Sequence, residues 1–253
     1  MILPFLYLLN AVLLTRLPLL LRDGRVRRQP AVVACVVQLG ALIAFAPDGP
    51  VALAGVVIVS LSLLGWRVER KEQGSLPTRR LLMLVLYFLL FAILCSPSLN
   101  LRFREKLGEL ATAGGAYFFP GIFLGTMHWR PFLAYLLGIL LSLNEANLLV
   151  RCVIEKFIYR PVEPGKTTGS PLALGKTEYD RGRLIGLLER LLIFFFVMQN
   201  QFATLGFVVA AKGIARFKEL ENRDFAEYFL IGTMLSIVTA GAIALLVKNV
   251  LLP

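Results

Sequence analysis

The sequence has little of what a soluble protein needs. Only 17% of its 253 residues are charged and 57% are apolar, with a mean hydropathy of +0.74. Soluble domains average about 25% charged and roughly 45–50% apolar residues. Apolar runs recur along the whole chain, which is typical of a single integral membrane domain covering residues 1–253. The composition therefore excludes a soluble globular protein.

The chain contains only three cysteines and one histidine. Cys35, Cys95 and Cys152 lie far apart, each within or beside an apolar run, so they form no disulfide framework and no metal-ligand pattern. His128 stands next to Trp129 and is typical of a membrane-interface residue rather than a catalytic base. We therefore expect neither a metal nor a cofactor.

Common catalytic motifs are missing as well. The sequence has no G-x-x-x-x-G-K-[ST] phosphate loop, no H-E-x-x-H zinc motif, no G-x-S-x-G nucleophile motif and no clustered Asp pair for Mg²⁺. An enzyme would have to rely on a lone carboxylate and arginines. The sequence therefore favours a protein that is not an enzyme.

The charge that is present is mostly positive. Lys and Arg number 27 against 16 Asp and Glu, which gives a net charge of +11. In a soluble chain this excess would indicate nucleic-acid binding, but in polytopic membrane proteins Lys and Arg collect in cytoplasmic loops and contact anionic headgroups. We therefore expect anionic membrane lipids as partners and no nucleic acid.

Seven apolar runs are long enough, or nearly so, to cross about 30 Å of hydrocarbon as helices. They cover residues 2–21, 31–46, 51–66, 81–96, 131–150, 191–211 and 228–247. The sequence thus predicts an all-α fold, a polytopic transmembrane helical bundle. Residues 98–110 and 180–190 show the pattern of amphipathic helices in the membrane interface. Residues 111–127, rich in glycine, are either a re-entrant segment or an eighth span.

The distribution of basic residues discriminates between seven and eight spans. With seven spans and the N-terminus outside, 18 Lys and Arg residues fall inside and 8 outside, whereas eight spans give 14 and 12. Cytoplasmic loops carry the basic excess, so seven crossings fit better. This arrangement predicts that the N-terminus is outside, that the C-terminus is inside and that the basic loop 151–190 is cytoplasmic.

A polar stripe interrupts the predicted span 131–150. Asn144, Asn147 and Arg151 lie within about 60° of helix arc, while Glu145 points about 100° away. A charged side chain at membrane depth needs a partner or a water-lined cavity. Glu145 is therefore either an ion- or substrate-binding carboxylate or half of a structural ion pair. Three arginines are its candidate partners: Arg151, Arg183 and Arg190.

Three consecutive amides, Gln199, Asn200 and Gln201, fall in the middle of the predicted span 191–211. They cover about 200° of helix surface, so they cannot all face lipid. Amides inside membranes either form hydrogen bonds between helices or line a polar pathway. Both interpretations place at least one of these side chains in the protein interior.

The segment before these amides has one apolar and one charged face. Arg183, Gly186, Glu189 and Arg190 share the charged face, and Gly182 with Gly186 forms a G-x-x-x-G pattern that permits close helix approach. The charged face either reaches the membrane interface or holds a lipid phosphate or an anionic substrate.

Three strings in the C-terminal half carry a family resemblance: GRLIGLLER (182–190), AAKGIARF (210–217) and AEYFLIGT (226–233). Through them, residues 180–240 resemble the bacterial membrane proteins grouped as domain of unknown function 3307. That family has no established activity. The resemblance therefore implies a bacterial inner-membrane location and no particular chemistry.

The polar residues together favour a bacterial inner-membrane transporter, channel or solute- or lipid-binding component with a polar pathway between helices. One alternative is a structural subunit of a homo-oligomer or membrane complex, and a second is an enzyme acting on a phosphorylated lipid. The expected ligand is a small solute or an ion. The candidate binding residues are Asn144, Glu145, Asn147, Arg151, Arg183, Glu189, Arg190, Gln199, Asn200 and Gln201.

Overall fold

The structure is a computed structural model that describes residues 2–20, 28–70, 75–96, 99, 101, 103–104, 129–157 and 176–252. Within these ranges the regular elements are helices. One isolated β-bridge pairs Phe45 with Phe103. The all-α prediction is therefore confirmed. The chain divides into two compact units, Met1–Leu140 and Leu141–Leu251.

The first unit is built from apolar helices with short connections. Its helices are α1 (Ile2–Arg16), α2 (Arg28–Ala41), α3 (Gly49–Arg70), α4 (Leu76–Leu94) and α5 (Trp129–Leu140). Single 3₁₀ turns extend α1 to Leu20 and α2 to Ala44. Proline near the start of α4 suits a first helical turn, where its missing N–H needs no partner.

Helices α1 and α2 run antiparallel. The Nε2 atom of Gln38 donates to Oγ1 of Thr15 over 2.8 Å, and the rings of Tyr7 and Phe45 lie 5.8 Å apart. Residue numbers thus rise along one helix as they fall along the other. The same test applies to α3 and α4, which also run antiparallel because Ser62 contacts Tyr87 while Glu69 contacts Arg80.

The core of the first unit lies between α1, α2, α3 and α4. Its buried side chains include Leu8, Val12, Phe45, Ala54, Ile58, Leu61, Met83, Tyr87 and Phe91. The outer faces of the same helices expose many large apolar side chains, among them Val32, Val36, Leu63, Leu82 and Phe88. Helices that are apolar all round are typical of proteins buried in a bilayer.

In the described part of the chain, four helical stretches are long and apolar enough to cross a membrane: Gly49–Arg70, Leu76–Leu94, Trp129–Ile154 and Phe225–Leu251. Each corresponds to a span predicted from the sequence. The first two predicted spans contain shorter apolar helices, Ile2–Arg16 and Pro30–Ala44. The structure thus fits a membrane protein, and it does not confirm the count of seven spans.

The second unit starts with a π-helical turn, Leu141–Glu145, and continues as α6 (Ala146–Phe157), α7 (Lys176–Met198), α8 (Phe202–Ala215) and α9 (Arg223–Leu246). Asn222 begins α9, because its side chain accepts a hydrogen bond from the backbone N–H of Phe225 over 3.1 Å. Helix α9 packs against α6 and α7, and the π-helical turn contacts both α7 and α9.

The predicted single span 191–211 is wrong in the structure. Helix α7 ends at Met198, and Asn200 adopts a φ of 59°, a left-handed conformation that a continuing right-handed helix excludes. Helix α8 then returns along α7, since Lys212 lies 2.6 Å from Glu189. The two helices therefore form a hairpin with its tip at the amide triplet.

The predicted loop 151–190 is partly helical, because α6 continues to Phe157 and α7 begins at Lys176. Residues 180–190 accordingly belong to α7 and are not a separate interfacial helix. The predicted interfacial helix 98–110 falls mostly outside the described residues, and the segment 111–127 falls wholly outside them.

Candidate functional site

The π-helical turn Leu141–Glu145 places polar groups in the interior of the second unit. Ser142, Asn144 and Glu145 are all buried, with 0%, 2% and 4% exposure. The Nδ2 atom of Asn144 donates to Oε1 of Glu145 over 2.9 Å. A π-helical turn widens the helix locally and is frequent at functional sites. The buried polar set therefore includes Glu145, which helical spacing alone placed about 100° from the stripe.

Arg190 is a buried cation at the contact between α7 and the π-helical turn. It is 4% exposed, and its Nε donates to the backbone carbonyl of Ser142 over 3.1 Å. Its Nη2 finds no hydrogen-bond partner within the described part of the chain. Removing a guanidinium from water is costly unless its donors are satisfied. Arg190 therefore presents a buried donor that requires an acceptor.

The neighbouring carboxylate, Glu189, is held by Lys212 of α8. Oε2 of Glu189 accepts from Nζ of Lys212 over 2.6 Å, and Glu189 is only 4% exposed. Nζ of Lys212 also lies 5.2 Å from the ring centre of Phe229 in α9. These contacts show that α7, α8 and α9 lie next to one another at the height of Glu189 along α7.

Three hydroxyl groups are buried near this level. Thr233 and Ser236 lie on α9, about one and two turns beyond Phe229, and Ser142 belongs to the π-helical turn. Their oxygens have no hydrogen-bond partner among the described residues. Together with the preceding side chains they form the Arg190 cluster, defined here as Ser142, Glu189, Arg190, Lys212, Thr233 and Ser236.

Both glycines of the predicted G-x-x-x-G pattern lie beside arginines. A Cβ atom on Gly186 would stand 3.4 Å from Nη1 of Arg190, and one on Gly182 would stand 4.0 Å from Nη2 of Arg216. Gly186 thus leaves room for the Arg190 guanidinium to lie against its own helix. This role differs from the helix approach that the spacing predicts.

The other sequence-predicted residues lie at the edge of this site or away from it. Asn147, Arg151 and Arg183 are half-buried. Gln199, Asn200 and Gln201 are all exposed in the hairpin turn, where the side chain of Lys248 donates to Oδ1 of Asn200. The amide triplet is therefore not in the interior, contrary to the prediction that at least one of its side chains is.

Sequence reasoning missed Lys212, Thr233 and Ser236. Lys212 falls at the end of the predicted span 191–211, where a basic residue is typical of a loop. Only the hairpin brings it back to Glu189. Thr233 and Ser236 share one face of α9 at i, i+3 spacing, and this periodicity was the available signal.

Metal binding has no support in the ranges that the structure describes, where no group of three or more His, Cys, Asp or Glu side chains could hold an ion. No family model matches the chain, and neither a curated protein nor a solved structure does. The chemistry of this site therefore has to be inferred from its own residues.

Proposed function

We propose that this protein is a polytopic membrane transporter or solute-binding component that takes a small anion at the Arg190 cluster. The observation that supports the proposal is the buried guanidinium of Arg190, whose Nη2 lacks an acceptor among the described residues. Three buried hydroxyls nearby, those of Ser142, Thr233 and Ser236, are further donors without an acceptor in the described ranges. A small anion would accept from these donors, and Oε1 of Glu189, which also lacks a hydrogen-bond partner among the described residues, would accept from a donor of the ligand or from water.

The balance of charge favours an anion over a cation. Among the described side chains around the π-helical turn, Arg151, Arg190 and Lys212 are positive. Glu145 and Glu189 are negative, which leaves one positive charge in excess. In a medium of low dielectric constant an unbalanced charge raises the affinity for a ligand of opposite sign.

The experiment measures the melting temperature of the purified protein in maltoside detergent with sodium chloride or acetate. Sodium gluconate serves as the control for ionic strength. We expect at least one small anion to raise the melting temperature and the same anion to show counterflow in proteoliposomes. Arg190→Gln should abolish both signals.

Arg223→Gln is the matched control, because Arg223 is 90% exposed and pairs with Glu227 along the helix surface. It should retain both signals. Identical behaviour of Arg190→Gln and Arg223→Gln would exclude the Arg190 cluster as the anion site.

Glu145→Gln tests the carboxylate that the sequence singled out. We expect this variant to insert and to keep its melting temperature, because glutamine has the same shape and its oxygen still accepts from Asn144. We expect counterflow to be lost, because the amide cannot exchange a proton or balance the guanidinium charge. Early melting and poor yield would instead identify Glu145 as half of a structural ion pair, for which about 3–5 kcal/mol is the usual cost of breakage.

Membrane orientation gives a separate prediction. We place residues 151–190 in the cytoplasm of a bacterial cell, in line with the basic excess and the family resemblance. A hairpin at 199–201 returns the chain to the side it left, so position 218 should share that side. In a variant without native cysteines, an impermeant maleimide should label neither Thr168→Cys nor Lys218→Cys in intact cells, and both after permeabilisation. Labelling of Lys218→Cys alone would restore a single span at 191–211.

A second candidate function, a structural subunit of a membrane complex, is favoured by helix α8. No described residue of Phe202–Ala215 is buried, and Phe207 and Ile214 are 73% and 76% exposed. Such a face suits either lipid or a neighbouring protein helix. Phe207→Cys should cross-link between copies in native membranes if α8 packs against a second copy, and should not cross-link if it faces lipid.

A further inference from the structure

The first unit contains a cavity of about 130 Å³ that none of the sequence-predicted site residues lines. It lies between the end of α1, the first part of α2, the end of α3 and the start of α4. We name it the arginine pocket. Its polar and charged lining includes Arg16, Gln38, Ser62, Glu69, Arg79 and Arg80.

Positive charge dominates the wall of the arginine pocket. Its described lining carries three guanidinium groups and one carboxylate, a net charge of +2. Arg80, which is 4% exposed, donates from Nε to Oε1 of Glu69 over 3.0 Å. The Nη2 atom of Arg16 donates to the backbone carbonyl of Arg80 over 2.9 Å. These bonds fix the guanidinium groups in place before any ligand arrives.

The floor of the arginine pocket is polar but uncharged. The hydroxyl of Tyr87 donates to Oε1 of Gln38 over 3.3 Å and lies 3.4 Å from Oγ of Ser62. Tyr87 is two turns deeper along α4 than Arg80, a rise of about 10 Å. Apolar side chains such as Met83 form the wall between these two levels. A ligand with a charged end and a short neutral body fits a pocket that is charged at the level of Arg80 and neutral at the level of Tyr87.

The arginine pocket lies where the hydrocarbon layer ends. The candidate spans Gly49–Arg70 and Leu76–Leu94 meet at this end of the unit. Trp66 is typical of the membrane interface, and the guanidinium of Arg70 lies 4.9 Å from its ring centre. Lipid headgroups are at this depth, and arginine forks match phosphate oxygens in geometry and charge.

From this geometry we infer that the arginine pocket binds a phosphate group, carried by an anionic lipid or by a free phosphate. A share of about 30 Å³ per water in the liquid means that the cavity has room for a phosphate and a small polar fragment. A lipid would therefore leave its chains against the exposed apolar faces of α3 and α4, for example at Leu63 and Leu82.

The test uses the delipidated full chain in maltoside and follows its melting temperature. One arm adds sodium phosphate against sodium gluconate, and the other adds dihexanoyl phosphatidic acid against dihexanoyl phosphatidylcholine. Saturation should raise the melting temperature by about 5 °C or more. A rise in the first arm identifies free phosphate as a ligand, and a rise in the second arm alone identifies a lipid headgroup. No rise in either arm overturns the inference.

Two variants and a control locate the effect. Arg79→Gln should weaken phosphate binding by about tenfold or more, since a charge-assisted hydrogen bond is lost. Arg70→Gln, at the same end of α3 but outside the lining, should stay within about twofold of wild type. An equal loss in both variants would show unspecific attraction to a basic surface and overturn the inference.

Gly65→Leu separates binding from general charge effects. Gly65 lines the arginine pocket, and a Cβ atom there meets only the flexible end of Met83, at 3.4 Å. Leucine should therefore fill the cavity without loss of melting temperature and should abolish the phosphate effect. An unchanged phosphate effect in Gly65→Leu would contradict the inference. Arg190→Gln should leave the effect intact, so the failure of one proposed site is distinguishable from the failure of the other.

Discussion

Replacing Arg190 by methionine is expected to abolish anion binding and to leave the protein at least as stable as wild type. The lost hydrogen bond to the carbonyl of Ser142 costs about 1 kcal/mol. A buried charge without a hydrogen-bonded counter-ion carries a desolvation penalty of several kcal/mol, and an apolar side chain of similar volume relieves that penalty. Glu189 keeps Lys212 as its partner, so no carboxylate is left uncompensated.

The measurement is the melting temperature in maltoside without added small anions, compared between wild type and Arg190→Met. A site that holds a charge for its ligand sacrifices stability for function, so relief of that cost is the signature of a binding residue. A variant that melts many degrees early would make Arg190 a structural residue and remove the observation that supports the anion site.

Lys212→Met is expected to have the opposite effect and to destabilise the protein by about 3–5 kcal/mol. Glu189 is 4% exposed and Lys212 is 21% exposed, so the variant leaves a carboxylate in the interior without its cation. A change of this size lowers the melting temperature by about 10 °C or more in a chain of this length. The same substitution at Arg223, which is 90% exposed, should change stability by less than about 1 kcal/mol.

A double variant distinguishes the loss of the ion pair from the loss of packing. Glu189→Gln combined with Lys212→Met removes both charges, so it should recover most of the stability that Lys212→Met loses. If the double variant is as unstable as Lys212→Met alone, the effect comes from the packing of the lysine side chain over Phe229.

The opposite signs of these two predictions follow from the different partners of two cations on the same hairpin, the buried Arg190 and the partly buried Lys212. Lys212 has a carboxylate within 2.6 Å, whereas the only hydrogen bond recorded for Arg190 in the described chain is to a backbone carbonyl. Burial alone therefore does not show whether a charged side chain stabilises the fold. The presence or absence of a charged partner determines whether its removal destabilises the protein.

Hydrophobicity was sufficient to predict the all-α fold and the four long spans, because a bilayer requires about 20 apolar residues in one helix. It could not predict the break at Asn200. Apolar residues flank the amide triplet on both sides, and a window average over 191–211 still satisfies the requirement for a span. The left-handed φ of a single residue determines the hairpin. The periodicity of apolar residues contains no information about the backbone conformation of one residue.

The arginine pocket could not be predicted from the sequence for a different reason. Arg16 and Arg80 are 64 positions apart and meet only because the end of α1 lies beside the start of α4. In the sequence Arg16 falls near the end of the predicted span 2–21 and Arg80 just before the predicted span 81–96, where basic residues are common at the membrane interface. Tertiary packing brings these helix-end charges together in a lined cavity.

The hairpin of α7 and α8 also changes how the basic residues are distributed between the two sides of the membrane, and this distribution determines the orientation of insertion. If the loop 151–190 is cytoplasmic, as we propose, the turn at Asn200 would place Lys212, Arg216, Lys218 and Arg223 on the cytoplasmic side and Lys248 on the opposite side. The charge bias would then grow from 18 against 8 to 21 against 5. The C-terminus would lie outside, unlike in the seven-span prediction, and one left-handed residue would strengthen the signal that orients the protein.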